Sequence, residues 1–348
     1  MKNTVNLGIV GLGYWGPKLI DKFQSIPQAK VTVICDLDPG LLGEAEKVSG
    51  IKGTTKISEL LDNSKHQVDA VIVVTPPATH LDIARQVLEA GKHVYIEKPM
   101  TVTKKGAVLL NNLAKKKHLN IFIDHTFCHD AVFIEKRKLI DEGKLGEIYH
   151  SRFEWLGARA KPQGPDVLWD SGPHAFSSML FLIGKKPVSL HMNIIERIPD
   201  TQTPSALEGE VHFEDGTRSE IKLAWKDQTV RGLHVPKAAR ASIVGKEKTI
   251  IYEGSFAGRT ARIYPTEESY SPSRALDACI EDFLGGKGDE LPGVSYDDEP
   301  LKSACAAFID LILSNKVPVT DGFFGEQVVH LLEKASESMR SRGRHISL

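Results

Sequence analysis

No two of the chain's four cysteines are spaced as C-x-x-C; Cys35, Cys128, Cys279 and Cys305 lie scattered along it. Neither a disulfide framework nor a zinc site fits that scatter, so no metal is expected and a reducing, cytoplasmic setting is. Long hydrophobic runs are missing as well: no stretch approaches the roughly 20 apolar residues that cross a bilayer. The N-terminus passes from Met1 straight into an apolar strand and a glycine loop, without the cleavage-site grammar of a signal peptide. Charge of one sign is also lacking, because 44 lysines and arginines face 45 aspartates and glutamates. A balance of −1 gives no basic field for nucleic acid and no draw towards a membrane surface. The run Lys115-Lys116-Lys117 reads as a solvated helix face. There is no internal repeat and no low-complexity segment.

What is present is enough chain, 348 residues, for two domains of ordinary size. The first third alternates apolar strands with amphipathic helices. Strands are expected at Val5–Val10, Lys30–Asp36, Val68–Val74, His93–Glu97 and Asn120–Asp124, with helices over about Tyr14–Gln24, Ala78–Ala90 and Thr103–His118. Continuous apolar strands separated by helices predict a parallel, doubly wound sheet covered on both faces. After Asp124 the rhythm changes. Strand patterns recur near Ile148–Leu156, Val188–Ile198, Leu207–Phe213, Arg218–Trp225, Ala241–Val244 and Thr249–Tyr252, with tight turns at Glu214-Asp215-Gly216 and Gly245-Lys246. Helices are expected over about Asp298–Ser314 and Gly325–Ser341. The fold expected is therefore α/β: a Rossmann domain over 1–123, then an α+β domain over 124–348 with a large, mostly antiparallel sheet.

Gly11-Leu12-Gly13-Tyr14-Trp15-Gly16 is a G-x-G-x-x-G that follows a strand and opens a helix. The first glycine permits the tight turn, the second lets backbone approach a pyrophosphate, and the third allows close helix–strand packing. Asp36 ends the next strand, where a ribose-binding acid belongs. Its carboxylate accepts from ribose hydroxyls but repels a 2′-phosphate, and the neighbours Leu37 and Asp38 offer no arginine, so NAD is favoured over NADP.

Two further segments carry chemistry. Glu97-Lys98-Pro99 closes a short strand at the carboxyl edge of the sheet, where open α/β sheets bind ligands. Pro99 restricts Lys98 to extended backbone. Trp169-Asp170-Ser171-Gly172-Pro173-His174 reads as a helix start, with Pro173 at the first helical position and Asp170 and His174 on one side. A helix N-terminus disfavours imidazolium, which would keep His174 neutral and able to accept a proton. Taken separately, the first is equally a surface lysine at a strand end, and the second a capping aspartate beside an incidental histidine.

Together with Thr75-Pro76-Pro77-Ala78-Thr79-His80 and Gly91-Lys92-His93-Val94, these motifs resemble the Gfo/Idh/MocA oxidoreductases, across nearly the whole chain. The Glu-Lys-Pro tripeptide is the most specific of them. The resemblance implies a second domain whose open sheet mediates homodimers or homotetramers. It implies that Lys98 is the active-site lysine, holding a substrate oxygen and its developing charge. His174 would act as general base and Asp170 would orient it or bind a hydroxyl. Tyr14, Trp15, Thr75, Pro76, His80 and Glu97 would join the glycines and Asp36 around the cofactor, although a satisfied helix-start histidine remains open for His80. One departure matters: Ala175 stands where many relatives carry an acid or amide.

The Tyr14-Trp15-Gly16 end of the loop and Val167–His174 are most similar to relatives acting on nucleotide-linked sugars, typically at C3 of an N-acetylated uronic acid. Arg159 and Lys161 are candidates for meeting a carboxylate or diphosphate, and Trp169 for a sugar contact. All three also suit a bland role: solvated loop charges, and a core or rim aromatic. An inositol or free-sugar dehydrogenase is a close alternative, and an NAD-dependent glycosidase of the same family a second. A non-catalytic NAD sensor ranks last, because Lys98, Asp170 and His174 are all present.

Overall fold

A computed structural model describes residues 3–157, 165–226, 228–230, 233–235, 238–255, 258–266, 272–291 and 299–348. The chain divides into two compact units. The first joins Met1–His129 to Glu299–Val329, and the second joins Asp130–Asp298 to His330–Leu348.

In the first unit six parallel strands lie in the order β3-β2-β1-β4-β5-β6. They are Val5–Val10 (β1), Ala29–Cys35 (β2), Gly53–Thr54 (β3), Ala70–Val73 (β4), His93–Glu97 (β5) and Ile121–Asp124 (β6). Every residue of β4 is buried, because alternate side chains feed two cores. Ala70 and Ile72 face the core that contains Leu19 and Phe23 of the helix Gly16–Gln24. Val71 and Val73 face Ala84, Val87, Ala107 and Leu110 of the helices His80–Glu89 and Lys104–Lys117.

The first core is completed from far along the chain. Phe308, on the helix Pro300–Ser314, sits 6.3, 5.4 and 5.7 Å from the rings of Phe23, Tyr95 and Phe122. Burying that ring contributes about 2–3 kcal/mol, enough to hold the returning segment on the sheet. A linear cut between 123 and 124 has no means of including such a return. The helix Pro39–Ser49, not foreseen in the sequence, starts where the Asp38 carboxylate accepts from Gly40 N at 2.8 Å.

The second unit carries a nine-stranded sheet, ordered β16-β15-β14-β13-β7-β10-β9-β8-β17. Its strands are Ile148–Leu156 (β7), Pro187–Arg197 (β8), Pro204–Phe213 (β9), Arg218–Ala224 (β10), Ala238–Gly245 (β13), Lys248–Ser255 (β14), Gly258–Pro265 (β15), Asp289–Glu290 (β16) and Ile346–Ser347 (β17). Gln228–Val230 (β11) and Leu233–Val235 (β12) pair antiparallel in a separate two-stranded sheet. All neighbours in the large sheet are antiparallel except β7 with β10. The helix Val167–Ile183 lies over β7, β9 and β10. Fifteen of its 17 residues are buried, so it is apolar nearly all round, as a central core helix must be. Among the described residues no helix is long and apolar enough to cross a membrane.

Candidate active site

In the first unit the strand order reverses between β1 and β4, and the loops after these strands flank the crevice this creates. Gly11 takes φ +101°, and a Cβ there would lie 2.8 Å from the backbone of Val74 and Thr75. A Cβ on Gly16 would meet Gly11 O at 2.4 Å, so the helix can start this close only without a side chain. Gly13 differs: among the described residues a Cβ there would meet nothing within 4 Å. Its lack of a side chain serves no contact among those residues and leaves room for a ligand to approach the backbone. The helix Gly16–Gln24 has no side-chain cap and no acid in its first turn, which leaves its amide donors and positive dipole end for an anion.

Asp36 accepts from Leu12 N at 2.6 Å and from Asp38 N at 2.9 Å. Two carboxylate oxygens offer about four acceptor positions, so capacity for hydroxyls remains. Tyr14 is 60% exposed, with Lys18 Nζ 3.7 Å from its ring centroid. Trp15 packs against the first core and lines a groove with Pro17, Lys18 and Leu301. Thr75 is half-buried and Pro76 exposed. His80 is wholly buried, its Nδ1 2.9 Å from Pro99 O and its Nε2 2.8 Å from Thr75 O. It thereby ties the loop after β4 to the loop after β5, and burial pushes its pKa down.

Lys98 follows β5 and is 9% exposed; its backbone N–H donates to Glu97 Oε2 at 2.8 Å. Two neighbours escaped the sequence reading. Asp124, at the end of β6, is buried, and burial raises its pKa against the opposing pull of Tyr95, Thr126 and the Lys98 charge. His125 is 1% exposed, and neither ring nitrogen has a hydrogen-bond partner among the described residues. Burial, helped by Lys98, holds its pKa at about 3. The signal was present: two polar residues close an apolar parallel strand on the edge that also carries Lys98. They pass for a domain boundary when only periodicity is followed.

His129, which lies 2.9 Å from Thr320 Oγ1 through Nε2, is likewise pushed by burial to about 4. Folded pKa values below the unfolded 6.5 mean that the unfolded chain binds more protons. The stability from neutral His125 and His129 is thus complete above pH 6.5 and is lost as pH falls towards 4 and 3. Each histidine should contribute a slope of up to about 1.4 kcal/mol per pH unit. Urea midpoints of the wild type and His129→Gln between pH 7 and 5 check this; the variant should lose less stability on acidification, and parallel curves would refute it.

In the second unit the helix starts earlier than its sequence suggests. Asp166, not a residue at 169–172, is the N-cap, accepting from Trp169 N at 3.0 Å. Pro173 is therefore interior, where it denies Trp169 C=O its usual donor. Val167 and Leu168, both 0% exposed, anchor the extra turn. His174 consequently lies beyond the first turn, and the dipole argument for its neutrality does not hold. Its ring stacks on Trp155, with centroids 6.2 Å apart and planes at 12°. The Asp170 carboxylate accepts from Trp225 Nε1 at 2.9 Å. Trp169 Nε1 donates to Ser336 Oγ at 3.2 Å. Arg159 and Lys161 lie outside the described residues.

Comparison with known proteins adds the following. A family model described as an oxidoreductase family with NAD-binding Rossmann fold matches residues 5–125, and the GFO/IDH/MocA C-terminal domain matches 133–251. The uncharacterized oxidoreductase YdgJ of Escherichia coli is 28% identical over 225 residues, 58% of this chain and 60% of that one. A glycosyl hydrolase family 109 protein of Shewanella amazonensis is 28% identical over 206 residues, 55% of this chain and 45% of that one. The matches thus span about half the length of these relatives. The WlbA dehydrogenase of Bordetella pertussis, solved with NADH and UDP-GlcNAcA, shares the fold, with a TM-score of 0.79 at 19% identity over 100% of this chain and 99% of that one.

Proposed function

The chain belongs to the Gfo/Idh/MocA oxidoreductases, and from that premise we propose that it is an NAD-dependent dehydrogenase acting on a ring hydroxyl of a sugar, in nucleotide-linked form. The observation that carries this reading is Lys98 at the carboxyl end of β5, in the sheet whose crevice is flanked by Gly13 and the uncapped helix start. Gly11, Gly13, Gly16 and Asp36 would hold the dinucleotide, with Tyr14, Trp15, Thr75, Pro76 and Glu97 around it. Asp36 favours NAD over NADP, since a second negative charge beside its carboxylate would be repelled. When bound, the nicotinamide supplies a two-electron acceptor.

The chain's own residues manage charge and protons. Lys98 presents an ammonium to the substrate oxygen and stabilises negative charge as the hydroxyl ionises. His174 takes the hydroxyl proton, Asp170 steadies the polar surroundings, and Trp169, Arg159 and Lys161 contact the sugar or its diphosphate. His80 acts through the loops it ties together. The open sheet of the second unit serves homodimer or homotetramer formation. Resemblance to a glycosyl hydrolase family 109 protein favours one second reading, hydrolysis of a glycoside with NAD recycled in place.

A single experiment separates these. Purified protein is given NAD or NADP with nucleotide-linked uronic sugars, free sugars, inositols and a nitrophenyl glycoside. Reduced cofactor forming from NAD with one nucleotide sugar is the expected result. Nitrophenol release without net NADH would replace the proposal by the hydrolase reading, and reduction of NADP in preference to NAD would overturn the role of Asp36.

A further inference from the structure

Three histidines distant in sequence meet on one face of the second unit's sheet. Register pairs Ile346 of β17 with Leu190 of β8, which sets His345 beside His191. On the next strand His191 pairs with Glu210 and Ser189 with His212. Leu190 and Met192 are buried on the opposite face, so strand alternation turns His191 away from the helix-covered side. One nitrogen from each of His191, His212 and His345 lies within 4.8 Å of the other two. The His345 ring centroid is 4.5 Å from that of His191 and 5.6 Å from that of His212. His191 Nδ1 is shielded from solvent and has no hydrogen-bond partner among the described residues.

We propose that His191, His212 and His345 bind one imidazole-preferring divalent metal ion of the zinc type. Zn–N bonds of about 2.0–2.1 Å put tetrahedral ligands roughly 3.3 Å apart, so about an ångström of ring movement closes the site. Three imidazoles suit zinc, copper or nickel and do not suit magnesium or calcium, which require oxygen ligands. Glu210 Oε1 lies 2.7 Å from His212 Nε2, which is shielded from solvent and has no hydrogen-bond partner of good geometry among the described residues. A small turn of the ring would let the carboxylate orient a ligating imidazole; Arg218 Nε is 3.9 Å from the same oxygen. With three protein ligands the fourth position is open to water. The site joins β17, a strand of two residues, to β8 and β9, so the ion would pin the segment that ends at Leu348.

The test uses tag-free, chelator-stripped protein titrated with zinc chloride by calorimetry, with bound zinc measured after gel filtration. One zinc per chain with a Kd below about 10 μM is expected. His345 is exposed, so His345→Ala should fold normally, which its unchanged melting temperature without zinc would verify. That variant should bind at least tenfold more weakly, and Glu210→Gln about tenfold more weakly. Amide exchange at residues 344–348 should slow with zinc in the wild type alone. Absence of zinc binding below about 100 μM, or binding that His345→Ala leaves unchanged, would overturn the proposal.

Discussion

Replacing Lys98 by alanine should lower turnover by about a thousandfold while leaving the affinity for NAD within a few-fold. The split follows from where the side chain is anchored. The features expected to hold the dinucleotide, Gly13, the helix start at Gly16 and Asp36, follow β1 and β2, whereas Lys98 belongs to the far side of the crevice, after β5. Its loss removes a cation from a buried setting, where charge is poorly screened and worth more than in water. Stability should change little, because truncation also removes a charge that costs energy to hold at 9% exposure. Lys98→Arg retains the charge with a different donor geometry and should recover part of the rate. A second readout distinguishes an electrostatic role from simple disruption. The Lys98 charge helps hold down the pKa of His125, so the His125 ring should titrate higher in Lys98→Ala. Retention of more than a tenth of the wild-type rate, in an assay where the wild type turns over, would remove Lys98 from the mechanism.

Where local rules and the tertiary environment agree, the elements were readable from sequence. Val5–Val10, its glycine turn and Asp36 form one continuous physical argument: a buried strand, a turn that needs a missing Cβ, and an acid at the next strand end. The helix Ala131–Asp141 was invisible for a reason its packing explains. Lys136 occupies a buried position, with Nζ 2.8 Å from Ala241 O and 5.1 Å from the Phe133 ring, and burial lowers its pKa to about 7. A lysine on the inner face defeats any search for an apolar stripe. Pro39-Gly40 and Gly43 likewise hide the helix Pro39–Ser49 from a search by periodicity, although Asp38 before a proline is a sound start signal. In the candidate site Lys98 was legible because the strand ends there. His125 was not, since its meaning depends on β5 and β6 being neighbours, and the Pro300–Ser314 return depends on the assembled first core. The three-histidine cluster is a product of register alone; no spacing along the chain announces it.

Gly13→Ala should cost on the order of a hundredfold in NAD affinity while leaving the protein as stable as before, or slightly more so. Its backbone is outside the left-handed region and a Cβ would touch nothing within 4 Å among the described residues, so these give the methyl group no reason to be refused. Glycine to alanine at such a site restricts the unfolded chain and stabilises by about 0.4–1 kcal/mol. The space is free only until a pyrophosphate closes on the loop, and then the methyl group stands between phosphate oxygens and backbone amides. Gly16→Ala provides the contrast. Its Cβ would lie 2.4 Å from Gly11 O, a backbone atom that cannot swing aside, so the helix start must shift. That variant should lose about 1–3 kcal/mol of stability as well as nucleotide binding. Denaturant midpoints and fluorescence titrations with NADH on the two variants separate a glycine kept for a ligand from one kept for the fold. If Gly13→Ala binds NADH as tightly as the wild type, the open side of this loop does not face a dinucleotide, and the cofactor assignment fails at its most specific point.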